Sequence, residues 1–130
     1  MKKKILVITK YFPPEFGGIE ILSKNMCDSL SKNNDNYQID VLCFSKFKSS
    51  VNKSENYTIF RFKENFNFFS TPFSLKFIQY IIKYKDKYDI VHVFTPNPLP
   101  SILFAFIKSK KLIVTWGSDI INQKIIKFFF

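Results

Sequence analysis

The amino-acid sequence predicts an α/β fold, a parallel sheet with helices on both faces. Three observations carry this. Short runs that are apolar throughout, such as Lys-Ile-Leu-Val-Ile-Thr-Lys at 4–10, fit strands buried on both faces. Segments with apolar residues at helical spacing stand between those runs. Strands and helices therefore alternate, the pattern of a parallel sheet joined by right-handed crossovers.

The elements follow in order. After the run at 4–10, paired Pro and paired Gly make residues 11–18, Tyr-Phe-Pro-Pro-Glu-Phe-Gly-Gly, a loop. Ile19, Leu22, Met26 and Leu30 then recur at steps of 3, 4 and 4, the core stripe of a first helix. Asn33-Asn34-Asp35-Asn36 stops it. Ile39 to Phe44 is a second strand, and the Lys-, Ser- and Asn-rich residues 45–56 read as a surface loop. Tyr57 to Phe62 alternates in part and predicts a third strand. Residues 63–71 read as an aromatic loop. A second helix is expected from Pro72, a residue suited to a first turn, with Phe73, Phe77, Ile78, Ile81 and Ile82 inward and Lys76, Lys83 and Lys85 outward. Tyr88 to Phe94 is a fourth strand, Thr95-Pro96-Asn97-Pro98 a turn, and Pro100 to about Ser109 a short buried helix. Lys111 to Trp116 is a fifth strand, broken by Gly117, and Ser118 or Asp119 can cap a last helix.

With 130 residues, the chain is read as a single domain over 1–130, without internal repeat or linker. Hydrophobic residues make up 46% and charged residues 23%, a globular balance rather than a disordered one. The longest uncharged stretch, Ile90 to Ile107, holds Pro96, Pro98 and Pro100, which argues against a membrane-spanning helix. The basic start resembles the front of a signal peptide, but Lys10 interrupts its apolar run and no small-residue cleavage site follows. Cys27 and Cys43 are too few for a disulfide framework, and no CxxC spacing suggests a metal site. These features predict a cytoplasmic protein.

The net charge is +10, and Arg61 is the single arginine among 20 basic residues. Two explanations stand side by side: an anionic partner such as nucleic acid, lipid or nucleotide, and an A/T-rich coding bias that favours Lys, Asn, Ile and Phe. Sequence-specific nucleic-acid binding ranks low, because arginine, the usual base reader, is nearly absent.

Ligands of open α/β sheets bind at the carboxyl ends of the strands. Three loops are expected there: Tyr11 to Gly18, Thr95 to Pro98, and Gly117 to Asp119. All three glycines of the chain, Gly17, Gly18 and Gly117, fall in two of them. Gly17 and Gly18 precede a helix, where free N–H groups and the helix dipole favour an anion such as phosphate. A tight turn that requires glycine explains the pair equally well. Neither GxGxxG nor GxxxxGK[ST] is present. His92, the sole histidine, lies mid-strand and reads as a hydrogen-bonded core histidine ahead of a catalytic base. Asp119 either caps the last helix or receives a substrate hydroxyl. Glu20 suits a first helical turn.

Three segments together resemble glycosyltransferase family 4: Lys4 to Glu20 with its Pro-Pro-Glu-Phe-Gly-Gly loop, Asp89-Ile-Val-His-Val-Phe-Thr-Pro-Asn-Pro98, and Lys111-Leu-Ile-Val-Thr-Trp-Gly-Ser-Asp-Ile120. The resemblance implies the N-terminal, acceptor-side Rossmann-like half of a GT-B architecture. It implies a retaining transfer of sugar from a nucleotide-sugar donor to a polysaccharide or glycolipid acceptor. The nucleotide-sugar is then a substrate, with no cofactor and no metal. Gly17 and Gly18 would lie against the donor phosphates. Glu15, Thr95, Asn97, Ser118 and Asp119 would face acceptor or sugar.

The sequence also departs from the family. Trp116 or Gly117 stands where a histidine is common, and Phe94 where many members carry a second one. The catalytic residue is therefore unassigned. The E-x7-E pair of the donor-binding C-terminal domain is absent; Glu55 and Glu64 are nine apart and misplaced. The expectation is a fragment inactive alone, cut short by an early stop, a frameshift or a split gene that leaves the C-terminal domain on a separate chain, with the fifth strand an apolar edge. The alternative is a non-catalytic module that binds a partner or a membrane surface. Phe66, Phe68, Phe69 and Phe73, flanked by Lys63 and Lys76, either pack inside the domain or meet anionic lipid at the inner face of the plasma membrane.

Overall fold

The computed structural model describes residues 2–14, 18–32, 36–54, 56–69 and 71–116. The elements are β1 (Lys3–Ile8), α1 (Gly18–Ser31), β2 (Tyr37–Ser45), β3 (Ser50–Lys53), β4 (Tyr57–Lys63), β5 (Phe66–Phe68), β6 (Thr71–Phe73), α2 (Leu75–Tyr84), β7 (Ile90–Thr95), α3 (Pro98–Phe106) and β8 (Leu112–Trp116). A 3-10 turn at Lys85–Lys87 follows α2.

Six strands form one sheet in the order β3-β4-β2-β1-β7-β8. All neighbours are parallel except β3, which runs antiparallel to β4 at the edge. Val7 on the central strand pairs with Val41 and His92 on its two neighbours. The apolar runs are the inner strands because both of their faces are covered. Ile5, Val7, Ile39, Val41 and Ile59 pack beneath α1, together with Cys27. Leu6, Ile8, Leu42, Phe44, Val91 and Val93 pack beneath α2 and α3, with Phe77, Ile81 and Phe104. Phe44 and Phe77 stack at 4.1 Å and 11°.

Several sequence expectations need correction. The sheet-facing line of α1 runs Glu20, Ser23, Cys27, Ser31, all buried, whereas Leu22 of the predicted stripe is exposed. The two hydroxyls are satisfied locally, Ser23 Oγ donating to Glu20 O and Ser31 Oγ to Asp28 O, both at 3.0 Å. Met26 and Leu30 pack on the flank.

The second helix begins at Leu75 rather than Pro72. Ser74 is its N-cap and accepts from Phe77 N at 3.3 Å, while Pro72 and Phe73 belong to β6. Ile82 is exposed, not inward. Part of the loop 45–56 is the edge strand β3, and the aromatic loop is the hairpin β5–β6. β3 and β5 are exposed on most of their surface, so burial imposes no extended apolar pattern on either. Phe66, Phe68 and Phe69 accordingly do not pack inside the domain. The fourth strand starts at Ile90, after Tyr88, and α3 starts at Pro98, earlier than expected. β8 is the outer strand, with Leu112, Val114 and Trp116 about half exposed.

A polar network fixes α2 to the sheet. Tyr88 Oη donates to Asp40 Oδ2 at 2.7 Å and lies 2.7 Å from Tyr80 Oη.

Candidate functional site

Parallel strands β1, β2, β7 and β8 direct their carboxyl ends to one side, where the loops that follow them gather. After β1 the ladder continues for two residues, with Thr9 N donating to Leu42 O and Phe44 N to Lys10 O, both at 3.0 Å. Phe12 is buried and meets Tyr57 edge-on at 6.0 Å. Arg61 of β4 holds the next two residues, Nη1 donating to Phe12 O at 3.3 Å and Nη2 to Pro13 O at 2.8 Å. Its planar fork suits two adjacent carbonyls in a way a lysine does not. The Pro13–Pro14 and Thr95–Pro96 bonds are both cis.

Lys10 and Tyr11 stand at the same mouth. Burial pulls the Lys10 ammonium below its usual range, against the carboxylates of Glu20 and Glu64, with Lys46 adding to the lowering. Tyr11 Oη donates to Glu64 Oε2 at 2.9 Å and accepts from Asn67 Nδ2 at 3.2 Å.

The loop after β7 brings Thr95 and Asn97. Thr95 pairs in register with Trp116, and its Oγ1 donates to Thr115 O at 3.1 Å. Asn97 is 1% exposed, yet neither its amide oxygen nor its amide nitrogen has a hydrogen-bond partner. As the N-cap of α3 it makes no side-chain capping bond, although its carbonyl accepts from Ser101 Oγ at 2.8 Å. Leaving a buried amide unpaired costs about 1–3 kcal/mol per group. Such a group calls for an explanation. An amide that offers both donors and an acceptor matches a hydroxyl-bearing ligand.

His92 is satisfied within the fold. Its Nε2 lies 2.6 Å from Thr115 Oγ1 and its ring stacks on Phe94 at 4.6 Å. Burial pulls the imidazole below its ordinary value, favouring the neutral ring. This is the structural role expected for it.

Of the residues singled out by sequence, Thr95, Asn97 and Trp116 come together at the mouth of β7 and β8, and Gly18 opens α1. Glu15, Gly17, Gly117, Ser118 and Asp119 lie outside the described residues. Sequence reasoning missed Lys10, Glu64 and Arg61. For Lys10 the signal was its place directly after the first strand. The other two come from a distant strand and its end, and only pairing of β4 with β2 reveals them. An apolar cleft of about 340 Å³ opens between α3 and β8, lined by Thr95, Phe104, Leu112, Val114 and Trp116. Among the described residues, no three His, Cys, Asp or Glu side chains come together as a metal site requires. No helix among them is long and apolar enough to cross a membrane.

A mostly parallel sheet flanked by helices, with its loops collected at the strand ends, defines a Rossmann-like α/β domain. The chain belongs to the glycosyl transferase 4-like family, which matches residues 16–129. It is similar to O-antigen chain mannosyltransferase C of Escherichia coli, with 31% identity over 120 residues. That alignment covers 91% of this chain and 32% of the relative, so the chain spans about a third of the relative's length.

Proposed function

We propose that this chain is the acceptor-side, N-terminal half of a retaining GT-B glycosyltransferase. The sugar passes from a nucleotide-sugar to a polysaccharide or lipid-linked acceptor, at the cytoplasmic face of the membrane, with a C-terminal domain completing the donor site. The relative's name supports mannose as the sugar. In this reading Gly17 and Gly18 receive the donor phosphates, with Gly18 at the start of α1, where N–H groups are free. Glu15, Thr95, Asn97, Ser118 and Asp119 face the sugar or acceptor, and no metal or cofactor takes part. The catalytic group remains unassigned on this half, with Trp116 and Gly117 at the position where the family commonly places histidine.

The observation that carries the reading is the Asn97 amide, buried and unpartnered at both ends beside the mouth of β7. A sugar hydroxyl donates and accepts at once, which is what that amide lacks.

The test is transfer of labelled mannose from a nucleotide-mannose donor to a mannan or lipid-linked acceptor. The chain is assayed alone and joined to the C-terminal two-thirds of the E. coli relative. Expected are no turnover alone, turnover when joined, and at least a tenfold loss with Asn97→Ala, roughly the worth of one hydrogen bond. Turnover by the isolated chain contradicts the half-site reading. A folded joined protein indifferent to Asn97→Ala contradicts the role of Asn97.

A further inference from the structure

Aromatic side chains that belong in a core stand in solvent on the β5–β6 hairpin and beside its base. Phe68 and Phe69 of the β5–β6 hairpin are 66% and 87% exposed, and Phe47, after β2, is 81% exposed. Scattered exposed apolar residues need no explanation, but a cluster marks an interaction site. Phe69 sits at the hairpin tip with φ 51°, a region costly for a bulky residue. Below it, Phe66 stacks on Phe73 at 4.8 Å and 10°, which stiffens the hairpin from within. Asn65 anchors its base, with N donating to Phe73 O at 2.6 Å and Oδ1 accepting from Leu75 N at 2.9 Å.

The surroundings of this hairpin are cationic. A cavity of about 490 Å³ at its base is lined by Phe47, Lys48, Lys63, Asn65 and Lys76, with Glu64 as the one carboxylate. Glu64 is already engaged by Tyr11 and Asn67. Lys46 lies 5.2 Å over the Tyr11 ring. Among the described residues the ion pairs are Lys24–Asp28 and Lys85–Asp86, and neither involves these four lysines.

We infer that the β5–β6 hairpin and its lysines form a docking surface for an anionic lipid bilayer. Lipid phosphates sit among Lys48, Lys63 and Lys76, while Phe68, Phe69 and Phe47 enter the boundary between headgroups and acyl chains. A second copy of this chain fits poorly, because two such faces would set like charges against each other. Single-stranded nucleic acid fits less well than lipid, since its bases stack along a groove rather than on a protruding tip. The proposal does not depend on sugar transfer, and its test contains no donor.

The experiment is sedimentation of the full 130-residue chain with vesicles of phosphatidylcholine alone and of equimolar phosphatidylcholine and phosphatidylglycerol. Binding to the mixed vesicles is expected to be at least tenfold stronger. Phe68→Ser with Phe69→Ser should lower it at least tenfold and leave the thermal unfolding midpoint unchanged, since both rings lie outside the core. Lys63→Ser with Lys76→Ser should lower it about 25-fold, at roughly fivefold per lysine. Absence of binding to mixed vesicles overturns the proposal. So does binding unaffected by the phenylalanine pair, which would be bare charge attraction. Poly-uridylate that displaces the vesicles and depends on the same two rings would reassign the surface to nucleic acid. A solution dimer lost with that pair would reassign it to self-association.

Discussion

Tyr88→Phe removes one oxygen atom and leaves the ring in its buried position. The hydroxyl has a single proton, and it goes to Asp40 at 2.7 Å, so Tyr80 must donate the second 2.7 Å contact. Burial raises the Tyr88 hydroxyl far above its ordinary value, with Tyr80 and Asp40 adding to the rise, so it stays a donor at any working pH. A hydrogen bond to a charged group contributes about 1.5–3 kcal/mol and a neutral one about 0.5–1.5 kcal/mol. The substitution should therefore cost about 2–4 kcal/mol, a large share of the ~5–15 kcal/mol that holds a domain together.

The pH dependence gives a second handle on the same substitution. Burial holds the Asp40 carboxyl above its usual range, opposed by the Tyr88 hydroxyl and by Lys4. Its contribution to stability is then fully present below the unfolded value of ~3.9 and is lost as pH rises through the folded value. At about pH 7 the ionised Asp40 is a burden that Tyr88 offsets, whereas at about pH 4 it is less so. The deficit of Tyr88→Phe should therefore shrink on acidification. Urea unfolding, followed by circular dichroism at both pH values, reads this out; with a slope of ~1–3 kcal/mol per molar, the midpoint at neutral pH should fall by roughly 1–2 M. A loss below ~1 kcal/mol, or one equal at both pH values, would refute the network as the link between α2 and the sheet.

Other substitutions and reagents give independent tests. Phe77→Ala opens a cavity beneath Phe44 and should cost about 3–5 kcal/mol, measured by thermal unfolding. Cys27 is buried and its thiol is pushed up to about 12, chiefly by burial, so iodoacetamide at mildly alkaline pH should label it no faster than the chain unfolds. Asn97→Leu removes an unsatisfied buried amide and should raise stability by about 1 kcal/mol while abolishing sugar transfer by the joined protein. A destabilised Asn97→Leu would mean that the amide is a structural group.

The strands and helices that form the core were legible in the sequence, because burial on both faces leaves unbroken apolar runs and burial on one leaves a helical stripe. Thr95 and Asn97 were legible as candidates because a Pro-rich turn at the end of a strand marks the mouth of a parallel sheet. That Asn97 is left without a partner was not legible, since it depends on what surrounds the amide in space. The contact line of α1 was misread by one residue, because Ser23 and Ser31 carry no hydrophobic signal and only their burial against the sheet reveals it. β3 and the β5–β6 hairpin were invisible because exposed strands bury too little to need a pattern. The sequence by itself determined the α/β class, the loops that follow the strands and the family. The tertiary structure decided which aromatic residues face water, that Arg61 reaches across to the first loop, and that Glu64 accepts from Tyr11. The physical reason is range: periodicity records what one element does along its own length, whereas these contacts join residues some fifty positions apart that meet only when β4 pairs with β2.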